Sequence, residues 1–160
     1  MILKLRQRMA QDESGFTLVE LLVVMLILGL LAAIAIPAFF NQSDKAKDAD
    51  AKSAAKTAQT SMETYATEQT TGAYTGADAT KLKAIETTLN DAPNAADLSV
   101  VVAGPKEYAV AVKSTTNMWF SIHRDAGGQT QLQCGQTLTA ATGIASGTVG
   151  GGCPPGNVWG

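Results

Sequence analysis

The sequence predicts an α+β fold, with one long N-terminal helix laid partly against a small antiparallel sheet. Three observations carry that expectation. Leu21 to Phe40 contains no ionisable side chain, so its twenty residues, at 1.5 Å rise each, form a helix about 30 Å long, the thickness of a bilayer's hydrocarbon core. Beyond it, Ala51, Ala54, Ala58, Met62, Tyr65 and Gln69 recur at helical spacing. From Leu98 the period falls to two, in three short runs separated by turn residues.

The apolar run must be helical, because in hydrocarbon each backbone N–H and C=O needs a partner within the segment. Gly29 and Pro37 interrupt it. Pro37 lacks the N–H that would bond the carbonyl of Ala33, so a kink is expected near it. No Gly or Pro occurs between Ala38 and Thr71, so the helix continues out of the apolar zone to about Thr71, its outer half carrying a narrow stripe of small residues. Gly72 and Gly76 open a connection. Asp78 is a fair N-cap for a short helix from Ala79 to Asn90, with Leu82, Ile85 and Leu89 on one face and Asp91-Ala92-Pro93-Asn94 ending it.

Leu98–Ala103, Glu107–Lys113 and Met118–Arg124 are the strand candidates, with Thr130–Cys134 as a fourth. Their short links favour an antiparallel meander. The tail from Gly135 is rich in Gly, Thr and Ala and is expected to be too poor in apolar residues to order itself. Cys134 and Cys153 form no Cys-x-x-Cys pattern and have no nearby histidine, which suggests a structural disulfide in an exported domain. Such a bond would pin the tail to the sheet edge. Trp159 is a candidate apolar anchor.

Charge is low, at 16% of residues with a net −2, which argues against a nucleic-acid binder working through bulk electrostatics. Lys4, Arg6 and Arg8 precede the apolar run, so the positive-inside rule puts the N-terminus in the cytoplasm and the chain after Phe40 outside. Glu20 is the odd residue, a carboxylate just inside the apolar boundary, costly there unless it finds a partner or snorkels to the interface. A conventional signal peptide would offer Ala32-Ala33-Ile34-Ala35 as its cleavage site, but that leaves Gly15-Phe16 unexplained.

Gly15-Phe16-Thr17-Leu18-Val19-Glu20, followed by Leu21-Leu22-Val23-Val24, resembles the processing motif of type IV prepilins and pseudopilins. The resemblance is close over residues 10–45 and concerns general architecture beyond them. It implies a leader over residues 1–15, cleaved by a prepilin peptidase between Gly15 and Phe16, and N-methylation of Phe16. It implies a core helix over 16–40, an amphipathic continuation over 41–71 and a globular part over 72–160 with a disulfide-closed C-terminal loop. The chain would then be a type IV pilin that polymerises with itself, with an assembly platform and minor pilins as further partners. It would pass from the cytoplasmic membrane to a surface filament serving adhesion, motility or DNA uptake. Glu20 would pair with the amine of Phe16, in its own helix or a neighbour's, and set axial register. The pattern between Gly29 and Pro37 implies a segment that unwinds on assembly. Two alternatives stand beside this: a pseudopilin of a secretion or competence system, and a membrane-anchored binding domain that never polymerises.

No enzymatic site is expected. His123, the single histidine, neighbours Arg124 on a strand and reads as a solvated position. Ser14 and Ser121 lack nucleophile context, and no glycine-rich phosphate motif occurs. Calcium needs several oxygen ligands, and after Asp97 only Glu107 and Asp125 remain as carboxylates. No cofactor, metal or specific nucleic-acid site is expected. Lys81, Lys83 and Lys106 read as solvated surface.

Overall fold

The computed structural model describes residues 15–91 and 97–160. Lys4, Arg6, Arg8 and the rest of the expected leader up to Ser14, together with Ala92-Pro93-Asn94, lie outside the described residues. The chain divides into two units, one ending at Phe40 and the other running from Asn41 to Gly160.

Helix α1, Leu18–Glu68, begins in the first unit and is uninterrupted at Gly29 and Pro37. Within the first unit its large apolar side chains are exposed, from Leu18 at 78% to Phe39 at 71%. Among the described residues it is the one helix long and apolar enough to cross a membrane.

The second unit is built on a four-stranded sheet of order β1-β2-β3-β4, every pairing antiparallel. The strands are β1 Ser99–Ala103, β2 Tyr108–Lys113, β3 Trp119–Arg124 and β4 Thr130–Gly135, each within a residue or two of the runs read from period-two patterning. Register puts Val110 opposite Ile122 and Val112 opposite Phe120, and Phe120 opposite Cys134. These side chains form one core with Ala51, Ala54, Ala55, Ala58, Met62 and Tyr65 of α1. Alanines on that face let the helix approach the sheet closely, while Met62 fills the wider gap.

Two expectations need correction. The helix read over Ala79–Asn90 is split into α2, Ala79–Ile85, and a 3-10 turn, Thr87–Asn90. Glu86 adopts extended backbone between them, and its carboxylate accepts from the Thr88 N–H and hydroxyl. Side chain-to-backbone bonding of this kind competes with helix continuation, and the β-branched pair Thr87-Thr88 adds to the break. Asp78 does cap α2, accepting from the Lys81 N–H at 2.9 Å, and Leu82 and Leu89 are buried as the spacing requires.

The tail is the larger correction, because it is ordered. Strands β5 Thr137–Leu138 and β6 Ala145–Ser146 pair as a small second sheet. The tail covers the face of the main sheet opposite α1: Ala109, Ala111 and Ser121 are fully buried there, and the Ala145 N–H donates to Ser121 Oγ at 2.8 Å. What orders it is close backbone approach rather than apolar mass. A Cβ on Gly135 would overlap the Ser146 carbonyl, and one on Gly143, at φ +66°, would overlap Ala109. Further along, the Cys134 N–H donates to the Asn157 carbonyl at 2.7 Å and the Trp159 indole N–H to the Gln133 carbonyl at 2.8 Å. The Cys134–Cys153 disulfide closes this loop, worth about 3 kcal/mol in the chain-entropy treatment.

Gly143→Ala should therefore destabilise the detergent-solubilised chain by about 1–3 kcal/mol in urea unfolding. Gly150→Ala, where a Cβ would meet nothing within 4 Å, should leave the midpoint nearly unchanged.

Candidate processing and assembly site

Gly15, Phe16 and Thr17 precede α1 in non-helical backbone. Among the described residues Phe16 is 81% exposed and a Cβ on Gly15 would have no atom within 4 Å, so none of them covers the Gly15–Phe16 peptide bond. Thr17 then caps the helix. Its N–H and hydroxyl both donate to Glu20 Oε2, at 2.9 and 2.8 Å, and the Glu20 N–H donates back to Thr17 Oγ1 at 3.2 Å. This reciprocal Thr-x-x-Glu arrangement is a capping box. It gives Glu20 partners inside its own helix, which the reading of Glu20 as a partner for the Phe16 amine overlooked, although the spacing is plain in the sequence. Gly29 and Pro37 lie further along the exposed apolar stretch.

In the second unit two carboxylates organise the joint between α1 and the sheet. Asp48 is fully buried; its Oδ2 accepts from the Gly152 N–H at 2.6 Å and its Oδ1 from the Thr116 hydroxyl. One turn on, the Lys52 ammonium donates to the Gly152 carbonyl at 2.6 Å and lies over the rings of Phe120 and Trp159. Both backbone polar groups of Gly152, the residue before Cys153, are thus held by residues four apart on α1, a spacing that puts them on one face. Only Gly fits at 152, since a Cβ there would come within 2.8 Å of the Asp48 Cβ.

Glu63 is the second organiser. It accepts from the hydroxyls of Tyr74 at 2.8 Å and Tyr108 at 3.0 Å, and from Arg124 Nη1 at 3.0 Å. The two tyrosine rings meet edge to face, centroids 4.7 Å apart. Burial first, then the Glu63 hydrogen bond and charge, pushes both hydroxyls above the ordinary tyrosine range, Tyr108 strongly. Neither organiser emerged from periodicity. Asp48 could have been found, because it falls on the same helical face as Ala51, Ala55 and Met62. Glu63 could not, because its donors come from three separated segments.

His123 is half-buried rather than fully solvated, with Nδ1 shielded and unpartnered. Among the described residues no group of three or more His, Cys, Asp or Glu is placed to hold a metal ion. Lys81 donates to the Gly76 carbonyl at 2.6 Å.

Comparison with known proteins agrees with this N-terminal arrangement. The family model described as "Prokaryotic N-terminal methylation motif" matches residues 11–36. The chain is 40% identical over 55 residues to the type II secretion system core protein G of Pseudomonas aeruginosa, covering 34% of this chain and 39% of that protein. It is 42% identical over 57 residues to the type IV major pilin protein PilA of Myxococcus xanthus, covering 36% of this chain and 26% of that one. With the type IV narrow pilus major component PilA5 of Thermus thermophilus it shares 49% identity over 37 residues, 23% and 32% of the two chains. The chain thus spans well under half the length of each of these curated relatives. No solved structure matches. Together, the methylation motif, these relatives and the helix, sheet and disulfide described above define a type IV pilin-like protein.

Two predictions follow from the polar joints. Asp48→Ala leaves Gly152 N–H and Thr116 without their acceptor and should cost about 2–4 kcal/mol, with hydrogen exchange speeding up first at Gly152 and Cys153. Because Tyr108 holds its proton above the pH at which an unfolded tyrosine releases it, stability should be flat through neutral pH. Above pH of about 10 it should fall by about 1.4 kcal/mol per pH unit for each tyrosine kept neutral. Tyr108→Phe should remove one proton from that alkaline slope, measured by urea unfolding from pH 8 to 11.

Proposed function

We propose that this chain is the major structural subunit of a type IV pilus, a building block rather than an enzyme. A prepilin peptidase cuts between Gly15 and Phe16, residues 1–15 leave, and the new amine at Phe16 is methylated. The mature chain waits in the cytoplasmic membrane as a single-pass protein with its C-terminal unit outside. From there an assembly platform, with minor pilins, adds it to a surface filament for adhesion, motility or DNA uptake. The observation that carries this reading is the combination at the N-terminus. A Gly15–Phe16 bond that no described residue covers leads into a capped helix whose apolar side chains are exposed among the described residues.

Glu20 takes two roles in turn. Before assembly its capping box with Thr17 keeps the carboxylate hydrogen-bonded at the helix start. In the filament the cationic amine of a neighbour's Phe16 replaces or joins those donors, and one amine per carboxylate selects one axial register. Gly29 and Pro37 supply the weak points at which α1 extends as subunits pack.

A second reading, a pseudopilin of a secretion system, is favoured by the 40% identity to the secretion protein of Pseudomonas aeruginosa. Intact mass spectrometry of material sheared from cells separates the two. A surface pilin gives abundant protein beginning at methylated Phe16, with the mass of one disulfide; processed chain confined to membranes supports the pseudopilin. Full-length chain alone in membranes would sink both. Gly15→Leu should leave the leader attached, while Glu20→Ala should still be processed and methylated but yield at least tenfold less sheared filament.

A further inference from the structure

On the second unit, α1 carries two patches of opposite charge on opposite sides. One is a groove of about 400 Å³ between α1 and the 3-10 turn. Buried Ala54 and Leu89 form its floor, and exposed Asp50 and Asp91 stand at its edge. No lysine or arginine is among its described lining residues. Along α1 it is lined by Ser53 and by Thr57, whose hydroxyl donates to the Ser53 carbonyl at 3.1 Å.

The other patch is a ridge of Lys45, Lys52 and Lys56, spaced seven and four residues apart on one stripe of α1. Lys45 and Lys52 border a hollow of about 440 Å³ against Gly151–Pro155, with no carboxylate among its described lining residues. Lys56 is held over the Trp159 ring at 5.9 Å, so the ridge is backed by the disulfide-closed tail.

We propose that the acidic groove of one chain receives the Lys45–Lys56 ridge of a second copy of the same chain. Charge complementarity names the occupant. At about 100° per residue, Asp50 lies about 160° around the helix from Lys52. Patches facing opposite ways cannot satisfy each other in a two-fold dimer. They form a head-to-tail contact that repeats, and a repeating head-to-tail contact with a rotation that does not close builds a helical filament. Exposed pairs of this kind are individually weak and salt-screened, so they act mainly on partner choice and register. The inference rests on the filament reading above and supplies the contact that the second unit makes in it.

The test uses filaments sheared from cells making equal amounts of unlabelled and 15N-labelled full-length chain, treated with a zero-length carbodiimide. Mixed-isotope cross-links joining Lys45 or Lys56 to Asp50 or Asp91 are expected. The double reversal D50K/D91K should lower filament yield at least tenfold while the processed, disulfide-bonded chain stays in membranes at the wild-type level. Adding K45E/K56E to it should restore the yield to within about threefold. Should D50K/D91K fail to accumulate, the cross-links on unmodified filaments decide alone. Wild-type filaments that lack these cross-links, or a reversed chain that assembles as well as the wild type, would overturn this contact and leave the pilus reading standing. Absence of any filament from the wild-type chain would overturn both.

Discussion

A helix half whose apolar side chains are exposed among the described residues is the constraint on which everything else depends. Between Phe16 and Phe40, seventeen large apolar side chains are exposed. At about 1.5–3 kcal/mol each, leaving them in water costs on the order of 25–50 kcal/mol. A domain's whole stability is about 5–15 kcal/mol. Folding of the second unit recovers none of it, so lipid or other copies of the segment are the surfaces that can. Lipid and a packed helical core are about equally apolar, so the hydrophobic effect does not choose between them. The choice falls to small polar features: the Thr17–Glu20 box, and the amine that cleavage would create next to it.

The second unit meets the opposite requirement of holding together by itself with few large apolar residues. Its core is thin, mostly alanines of α1 against Val110, Val112, Phe120 and Ile122. Much of the joint is polar instead. Asp48 holds the N–H and Lys52 the carbonyl of Gly152, the disulfide fixes the next residue to β4, and Glu63 gathers two tyrosines and an arginine. Such joints are unforgiving, because one carboxylate serves several donors and its loss deprives all of them at once. They also give the tail a defined position while leaving Lys45 and Lys56 exposed along its edge.

Much of this was legible in the residues. A twenty-residue uncharged run, an alanine stripe at helical spacing and three alternating segments were enough for the α+β class and the sheet order, since each depends on local pattern alone. The break at Glu86 is invisible to periodicity because Leu82, Ile85 and Leu89 keep helical spacing across it, and competition from the Glu86 side chain ends the helix. The order of the tail is illegible for a different reason. Apolar content measures one route to order, whereas Gly135, Gly143 and Gly152 order theirs by letting the chain approach backbone, the Ala109 side chain and the Asp48 side chain respectively. The Thr17–Glu20 box is readable from its Thr-x-x-Glu spacing, and it satisfies the embedded carboxylate by capping, where the charge alone points to an ionic partner.

The most direct test follows the environment of the apolar half of α1. Leu26→Cys, labelled with an environment-sensitive fluorophore after the native disulfide has formed, reports on that surface in membranes and in sheared filaments. The account predicts quenching by lipid-dissolved nitroxides in the membrane, and loss of that quenching in the filament with no gain in quenching by aqueous iodide. Iodide quenching of the membrane-resident chain, or unchanged nitroxide quenching after assembly, would contradict it.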